Sequence, residues 1–267
     1  MERTLGFIGC GKMASAIISG IINAKLYQHE NIKASESNLE FAQEKQARLG
    51  IEVLCDNKRL AKESNIIFIA TKPNQVTDVL REICDDVGSD KLIVSIAAGV
   101  TIERIEKACP NAHVIRVMPN APLMVQLGMS AIVKGSKATI SDVEVVKEIL
   151  ENLGECIVTT EDKIDIVTAI SGSGPAFFYK VIHEIALAGE KLGMAYEDAL
   201  LLAEQTAMGS AKLMMQSDLT PSQLIENIST KGGCTAVGVE VMNEFDTEKI
   251  FDKVIEKTTQ KANALGK

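Results

Sequence analysis

The clearest chemical signature in this chain is a glycine-rich turn near its amino terminus. A short apolar run, residues 4–8, leads into Gly9-Cys10-Gly11-Lys12-Met13-Ala14, and a helical apolar pattern follows over residues 13–21. In a Gly-x-Gly-x-x-Ala turn between a strand and a helix, the glycines let the backbone turn tightly and approach a pyrophosphate, while the amides at the helix N-terminus face its charge. The segment predicts a dinucleotide site, and a glycine-rich turn without a ligand is the alternative.

A candidate for recognition of the adenosine ribose lies further along the chain. Glu36 follows the second predicted strand, about 25 residues after Gly11, where such a residue is expected. Its carboxylate could bond both ribose hydroxyls of NAD and would repel a 2′-phosphate. Four neighbouring polar side chains would suit the phosphate instead: Lys33, Ser35, Ser37 and Asn38. A polar turn that caps the next helix is the other interpretation, so the choice of cofactor stays open.

Three more segments follow predicted elements where they would face a cofactor. Asn57 precedes a short helix, where capping of that helix explains it as well as a cofactor contact does. Lys72, in Ala70-Thr71-Lys72-Pro73, is either a phosphate or ribose contact or a solvated lysine. The small residues of Ser95-Ile96-Ala97-Ala98-Gly99 would let a nicotinamide ring lie against the backbone.

Two glycine-rich breaks interrupt the second half of the chain. Ser171-Gly172-Ser173-Gly174-Pro175 places a proline at a helix start, where its missing N–H is harmless, although a plain connecting loop has the same composition. Gly232-Gly233-Cys234-Thr235 also opens a predicted helix and would expose unpaired N–H groups to a small carboxylate or phosphate. The alternative is that Thr235 is only the N-cap of that helix.

The elements that must position these residues fall into two groups. Up to about residue 160, strands alternate with amphipathic helices, which predicts an α/β Rossmann fold with a doubly wound, mainly parallel sheet and a ligand at the carboxyl ends of the strands. The predicted strands are residues 4–8, 31–34, 66–70, 92–95, 114–118, 131–133 and 156–159. Beyond residue 160 only helices are predicted: residues 163–170, 175–192, 196–216, 221–229, 236–244 and 248–264. We therefore expect a dinucleotide-binding domain at 1–160 and an all-helical dimerisation and substrate domain at 161–267.

Composition narrows the function classes. The chain has 267 residues, 46% of them hydrophobic, and a net charge of −8 with no basic cluster, which disfavours nucleic acid or an anionic membrane as partner. The longest apolar stretch, residues 92–100, is far shorter than the roughly 20 residues of a bilayer span, and the first predicted strand leaves no room for a signal peptide.

Six scattered cysteines without metal-ligand spacing predict reduced thiols, a cytoplasmic location and no metal site. The elongated helices would form a thin core, so a homodimer or larger homo-oligomer is expected.

Taken together, these motifs resemble the pyrroline-5-carboxylate reductases, the last enzymes of proline synthesis. The resemblance runs nearly end to end, through residues 7–14, 70–73, 95–101, 114–122, 165–176 and 230–235. The first motif is generic to dinucleotide enzymes, whereas Ser-Gly-Ser-Gly-Pro-Ala followed by the later Gly-Gly-x-Thr loop is highly specific. It implies a Rossmann domain, a helical dimerisation domain interlocked between subunits, and NAD(P)H-dependent reduction of a cyclic imine to L-proline.

The resemblance also implies roles for individual residues. It places thirteen at the cofactor: Ile8, Gly9, Cys10, Gly11, Lys12, Met13, Glu36, Asn38, Asn57, Thr71, Lys72, Ala98 and Asn227. It places five at or near the substrate: Glu161, Thr230, Gly233, Cys234 and Thr235. We expect the amides of the late loop to hold the substrate carboxylate and the Thr235 hydroxyl to bond the ring nitrogen. The protonated imine is already a good electrophile, so positioning and electrostatics would suffice.

Three positions depart from the family pattern. Lys231 stands where relatives often have proline, and Cys234 where they have threonine or alanine; neither disables the site, since Cys234 would contribute its backbone N–H. Glu36 stands where many relatives carry serine or a basic residue. NADPH is the expected cofactor, and Glu36 raises NADH as the alternative.

Two other functions compete with the reductase. A β-hydroxyacid dehydrogenase shares this layout but needs a catalytic lysine after the glycine-rich loop, where Phe178 stands here and Lys180 is two places away. A dinucleotide-binding regulator would bind cofactor without turnover, and the intact Gly-Gly-x-Thr loop disfavours it. An assay of cofactor oxidation with the imine separates all three.

Overall fold

A computed structural model describes residues 3–265, which form eight β-strands and twelve α-helices. The strands are β1 (Leu5–Ile8), β2 (Ile32–Ser35), β3 (Glu52–Leu54), β4 (Ile66–Ile69), β5 (Leu92–Ser95), β6 (His113–Met118), β7 (Gly128–Lys134) and β8 (Gly154–Thr159). They form one sheet in the order β3-β2-β1-β4-β5-β6-β7-β8. Every neighbouring pair is parallel except β6 and β7, so the predicted doubly wound, mainly parallel sheet is confirmed.

Six helices cover the sheet and six follow it. The first group is α1 (Lys12–Asn23), α2 (Leu39–Leu49), α3 (Asn57–Glu63), α4 (Val76–Ile83), α5 (Ile102–Ala108) and α6 (Ile140–Glu151). The second is α7 (Ile164–Val167), α8 (Gly174–Lys191), α9 (Tyr196–Met215), α10 (Pro221–Ile228), α11 (Cys234–Glu244) and α12 (Thr247–Leu265). A single π-helical turn, Thr168–Gly172, continues α7. Pro175 lies in the first turn of α8, as its position in the sequence predicts.

Apolar packing on both faces explains why β1 and β4 occupy the centre. All four residues of each strand are buried, and the rings of Phe7 and Phe68 stack with centroids 4.5 Å apart. One core lies between the sheet and α1, α2 and α6, and a second lies between the sheet and α3, α4 and α5. A parallel sheet buried on both faces needs such continuous apolar strands. Chain connections diverge between β1 and β4, the position at which ligands bind in open α/β sheets.

The sequence prediction missed one strand. β3 contains only Glu52, Val53 and Leu54, and its first residue is exposed, so it has neither an apolar run nor an alternation long enough to detect. It pairs with β2 at the edge of the sheet, where Lys33 forms ion pairs with Glu52 and Glu63 at 3.0 and 2.5 Å.

The chain divides into two compact units. Unit 1 extends to Ser173 and includes the end of α12 from Thr258, and unit 2 comprises Gly174–Lys257. This division lies later in the chain than the boundary expected from sequence after residue 160, and that boundary stays a prediction. No helix within residues 3–265 has the length and apolar character needed to span a membrane.

Candidate dinucleotide site and substrate loop

The glycine-rich turn connects β1 to α1 and leaves space beside its backbone. Gly9 has φ +87°, and a Cβ there would lie 3.0 Å from the carbonyl group of Ala70, so only glycine fits. Gly11 is the N-cap of α1, and a Cβ at that position would meet nothing within 4 Å. Because no side chain caps α1, its first-turn N–H groups are available to an anion.

Glu36 is bonded directly to this turn. Its Oε1 accepts the backbone N–H of Cys10 at 2.7 Å, and the N–H of Gly9 donates to the Ser35 carbonyl at 3.0 Å. The structure thus brings the end of β2 and the glycine-rich turn together, as the sequence prediction requires. Burial raises the pKa of the Cys10 thiol, and the Glu36 carboxylate raises it further, so the thiol stays neutral near pH 7.

Asn38 and Asn57 have structural partners of different kinds. Asn38 is the N-cap of α2, and its Oδ1 accepts the N–H groups of Glu40 and Phe41 at 2.8 and 3.3 Å, so the capping interpretation is confirmed there. For Asn57 the capping interpretation is wrong, because Asp56 caps α3 instead. Their contacts with a cofactor stay predictions.

The side chain of Asn57 is therefore free to make other bonds. It accepts the Ser35 hydroxyl at 2.7 Å and donates to Glu82 at 2.9 Å, which connects the end of β2 to α3 and α4. Ser35 and Asn57 thus hold the backbone that carries Glu36.

The residues after β4 complete the space beside the glycine-rich turn. The Thr71 hydroxyl oxygen is buried and has no hydrogen-bond partner in the described part of the chain, and its Cγ2 lies 3.1 Å from the position of a Cβ on Gly9. A buried hydroxyl without a partner is costly, so this oxygen fits a site that receives a ligand. Lys72 is exposed and makes no ion pair among the described residues.

The loop after β5 carries the small residues predicted for the nicotinamide. Ala97 is buried and Ala98 half-buried, and the N–H of Ile96 donates to the Ile69 carbonyl at 3.1 Å. Gly99 has φ +73°, and a Cβ there would lie 3.1 Å from the carbonyl oxygen of Leu265. The loop is therefore held by β4 at its start and closely packed at its end.

Glu161 is bound to a buried arginine to which the sequence prediction gave no role. Its Oε1 accepts Arg116 Nη1 at 2.8 Å and the N–H of Ile102, the first residue of α5, at 3.0 Å. The Arg116 side chain is only 4% exposed. The second oxygen of Glu161 is buried without a hydrogen-bond partner. Glu161 thus anchors the start of α5, and its predicted contact with the substrate would use this second oxygen.

The predicted substrate loop lies in unit 2 before α11. Gly232 has φ +77°, Gly233 is the N-cap of α11, and no side chain caps the helix. The N–H of Gly233 donates to the Thr230 carbonyl at 2.9 Å, and a Cβ on Gly233 would lie 2.7 Å from the Thr230 hydroxyl. Because Gly233 occupies the cap, the interpretation of Thr235 as an N-cap is wrong.

The side chains around this loop that are predicted to contact cofactor or substrate are exposed. Asn227, Thr230, Cys234 and Thr235 are exposed, and no hydrogen bond of their side chains is found within residues 3–265. Lys180, the nearest lysine to the position that a β-hydroxyacid dehydrogenase requires, forms an exposed ion pair with Glu184. Unit 2 also exposes large apolar side chains on α8 and α9, which include Phe178, Tyr179, Leu201, Leu202 and Leu213.

Comparisons with known proteins cover the whole chain. The family model described as pyrroline-5-carboxylate reductase dimerisation matches residues 161–265, and the one described as NADP oxidoreductase, coenzyme F420-dependent, matches residues 4–99. A curated pyrroline-5-carboxylate reductase of Methanosarcina acetivorans is 36% identical over 267 residues, which cover 100% of this chain and 99% of the relative.

Two solved structures agree with this result. The Plasmodium falciparum pyrroline carboxylate reductase with NADP bound has a TM-score of 0.89 and 31% identity, and the alignment covers 100% of this chain and 99% of the other. The pyrroline-5-carboxylate reductase of Coxiella burnetii has a TM-score of 0.94 and 29% identity, with 99% of each chain covered.

Proposed function

The chain belongs to the pyrroline-5-carboxylate reductase family, and we propose that it reduces 1-pyrroline-5-carboxylate to L-proline with NAD(P)H, the last step of proline biosynthesis. The observation that carries this function is the presence of two backbone anion sites in one chain. One is the uncapped N-terminus of α1 after the glycine-rich turn, and the other is the uncapped N-terminus of α11 after Gly232 and Gly233. A dinucleotide pyrophosphate and a small carboxylate are the anions that these sites fit.

Residues 8–13 and Thr71 fit the dinucleotide on three structural grounds. Gly9 is sterically required, the position of a Cβ on Gly11 opens into empty space, and the buried Thr71 hydroxyl has no partner within residues 3–265. We assign the pyrophosphate to the amides of this turn, the adenosine ribose to Glu36, Asn38 and Asn57, and the nicotinamide portion to Thr71, Lys72, Ala98 and Asn227. NAD(P)H supplies the hydride when bound. The protein's part is to hold the ring against the small residues of the loop after β5.

The substrate carboxylate is assigned to the N–H groups of Cys234 and Thr235, and Gly233 contributes its position as the N-cap, since its own N–H donates to the Thr230 carbonyl. The first amides of α11 have no intrahelical partners, and the N-terminus of the helix adds a partial positive charge. Thr230 provides a further polar contact in this assignment. Lys231, which is exposed and makes no ion pair among the described residues, adds positive potential.

The reaction needs one hydride and one proton. The imine nitrogen is protonated before the reaction, which makes the adjacent ring carbon electrophilic. The hydride adds to that carbon, the π electron pair of the C=N bond moves to nitrogen, and the product is a neutral secondary amine. The Thr235 hydroxyl bonds this nitrogen as its charge changes, so no strong catalytic acid is required.

The coarser properties follow from the family and from the surface of the protein. The substrate is a small molecule, and the assembly is based on a dimer, which would cover the exposed apolar side chains of α8 and α9. We place the protein in the cytoplasm, because all six cysteines are free thiols, as is typical of a reducing compartment. The net charge of −8 supports a function without nucleic acid or membrane partners.

Turnover with the imine tests this function. Purified protein is mixed with 1-pyrroline-5-carboxylate and with NADH or NADPH, and both the loss of reduced nicotinamide and the formation of proline are measured. We expect proline in a one-to-one ratio to the cofactor oxidised. Cofactor binding without turnover would instead support the regulator, and turnover of a β-hydroxyacid alone would support the dehydrogenase.

A further inference from the structure

We infer that Glu36 makes this enzyme selective for NADH over NADPH. This inference rests on the proposed function and concerns the adenosine ribose. It is carried by one bond, the 2.7 Å contact in which Glu36 Oε1 accepts the backbone N–H of Cys10. That bond holds a carboxylate inside the turn that receives the dinucleotide. The family model and the solved relative that match this chain are both named for NADP, so the inference separates this chain from them.

The geometry of Glu36 favours a ribose hydroxyl. One carboxylate oxygen is engaged by Cys10, and the other makes no hydrogen bond among the described residues. A hydroxyl donates to a carboxylate, whereas a phosphate monoester has only acceptors near neutral pH and carries close to two negative charges. The 2′-hydroxyl of NADH thus gains a hydrogen bond at this position, and the 2′-phosphate of NADPH meets a like charge.

Three of the cations on β2, α2 and α3 are already paired with carboxylates. Lys33 and Arg59 both pair with Glu52 and Glu63. Lys45 pairs with its neighbour Glu44. Arg48 donates to the uncharged Ser15 hydroxyl at 2.8 Å, and Lys12 and Lys58 make no ion pair among the described residues, so these three cations keep their full charge.

One neutral donor near Glu36 is also occupied, because the Ser35 hydroxyl donates to Asn57 at 2.7 Å. Asn38 accepts two backbone N–H groups with its Oδ1 as the cap of α2, and its amide nitrogen and the exposed Ser37 hydroxyl are the neutral donors that remain. Glu82, which accepts from Asn57, places a second carboxylate beside the end of β2.

Direct binding to the free protein tests the inference without requiring turnover. Dissociation constants for NADH and NADPH are measured by calorimetry for the wild type and for Glu36→Gln, Glu36→Ser and Glu40→Gln. Gln keeps an acceptor for the Cys10 N–H and removes only the charge, and Ser removes both. Glu40, in the adjacent helical turn and with no hydrogen bond from its side chain, is the matched control.

We expect the wild type to bind NADH at least about tenfold more tightly than NADPH, because like charges at close range cost at least this much. In Glu36→Gln and Glu36→Ser the two constants converge to within about threefold, mainly through tighter NADPH binding, while Glu40→Gln keeps the wild-type ratio. Salt gives a second readout: a higher salt concentration should reduce the wild-type preference for NADH, because it screens repulsion. A phosphate paired with a cation would respond in the opposite direction.

Each remaining outcome is decisive. Equal or tighter binding of NADPH by the wild type, or an unchanged ratio in both Glu36 variants, overturns the selectivity and leaves the reductase function intact if proline is still formed. Failure of both cofactors to bind overturns the proposed function, and the selectivity with it.

Discussion

The candidate-site residues of unit 1 and the loop before α11 in unit 2 differ in how their backbones are held. In unit 1, the glycine-rich turn is bonded to Glu36 and Ser35, and Glu161, a predicted substrate residue, anchors the start of α5 to buried Arg116. In unit 2, the loop before α11 has one internal bond, from Gly233 to Thr230, and exposed side chains around it. The backbone in unit 1 is held by hydrogen bonds and an ion pair between residues far apart in the sequence, which we call long-range tethers. The loop in unit 2 is shaped by the local conformations of two glycines.

This difference has a consequence for catalysis. Long-range tethers make a site rigid in the free protein, so a cofactor meets preformed donors. A loop that is defined by local backbone conformation exposes its amides at low energetic cost, and it depends on a ligand or a covering surface to become rigid. Variants in the first region should therefore change stability, and variants in the second should change mainly turnover.

The largest effect on stability is expected from removing the ion pair between Glu161 and buried Arg116. Glu161→Ala leaves the guanidinium of Arg116 without its partner, which should lower the free energy of unfolding by about 3–4 kcal/mol. The value lies toward the lower end for buried pairs because the side chain of Glu161 is 36% exposed. Urea unfolding measures the change. The matched control is Glu184→Ala in unit 2, whose ion pair with Lys180 is exposed and should contribute little.

Equal losses for these two variants would contradict the comparison. The same result would show that burial of Arg116 plays no part in holding α5. Retention of stability by Glu161→Gln, which keeps the acceptor of the Ile102 N–H, would assign the effect to that hydrogen bond rather than to the charge.

The sequence reveals the glycine positions of both regions but not the tether. A backbone that needs positive φ or a close approach leaves a glycine in the sequence, as at Gly9 and Gly232. Arg116 lies within an apolar strand, and its partner Glu161 is 45 residues away. No local pattern connects two such residues, because their pairing depends on the folded sheet.

Local ambiguity explains the smaller errors. Asp56 and Asn57 are adjacent, and both residue types cap helices well, so propensity cannot choose between them. The fold resolves the choice because Asn57 is needed to accept the Ser35 hydroxyl. Thr235 is a similar case, since Gly233 takes the cap without a side chain. The doubly wound, mainly parallel architecture, by contrast, follows from the alternation of apolar strands and amphipathic helices.

A second comparison uses two glycines with positive φ, one from each region. Gly9→Ala should lower the free energy of unfolding by about 2–3 kcal/mol, since it combines a left-handed backbone with a Cβ 3.0 Å from the Ala70 carbonyl. It should also abolish NADH binding. Gly232→Ala has the same backbone strain but meets nothing within 4 Å, so about 1–2 kcal/mol is expected.

Thermal unfolding and NADH titration of both variants test this prediction. NADH affinity in Gly232→Ala should equal that of the wild type. If Gly9→Ala binds NADH normally, the turn does not approach the cofactor and the assignment of the first region is wrong.

The third prediction concerns turnover in the substrate loop. Thr235→Ala should lower kcat/KM for the imine by about 1–3 kcal/mol of transition-state free energy, because the ring nitrogen loses its hydrogen-bond partner. Stability should hardly change, since Thr235 is exposed. Cys234→Ala, in the same helical turn, removes a side chain that is assigned no role and should keep kcat/KM within about twofold. Equal losses in the two variants would show that the loop responds to any substitution, and the Thr235 hydroxyl would have no specific role.

The smallest effect compares two helix caps, one in each unit. Thr139 and Asp142 form a capping box at α6, and Thr220 and Gln223 form the same motif at α10 with a neutral partner. Burial raises the pKa of Asp142. Hydrogen bonds from the Thr139 backbone and hydroxyl and from His113 lower it by a larger amount, so the pKa lies below the ordinary value of 3.8. A carboxyl with a depressed pKa stabilises the fold above the ordinary pKa and loses that contribution as the pH falls through the lowered value.

Asp142→Asn should therefore cost about 1 kcal/mol between about pH 5 and 8, and the difference from the wild type should disappear in strong acid. Gln223→Ala should also cost up to about 1 kcal/mol, but with no pH dependence from the substituted group. Urea unfolding of both variants from about pH 8 down to about pH 3 measures the two pH dependences. A difference between Asp142→Asn and the wild type that persists unchanged at pH 3 would mean that the cap acts through the shape of the side chain alone. In that case the charge of Asp142 would contribute nothing to the attachment of α6, and the two caps would be equivalent despite their different partners.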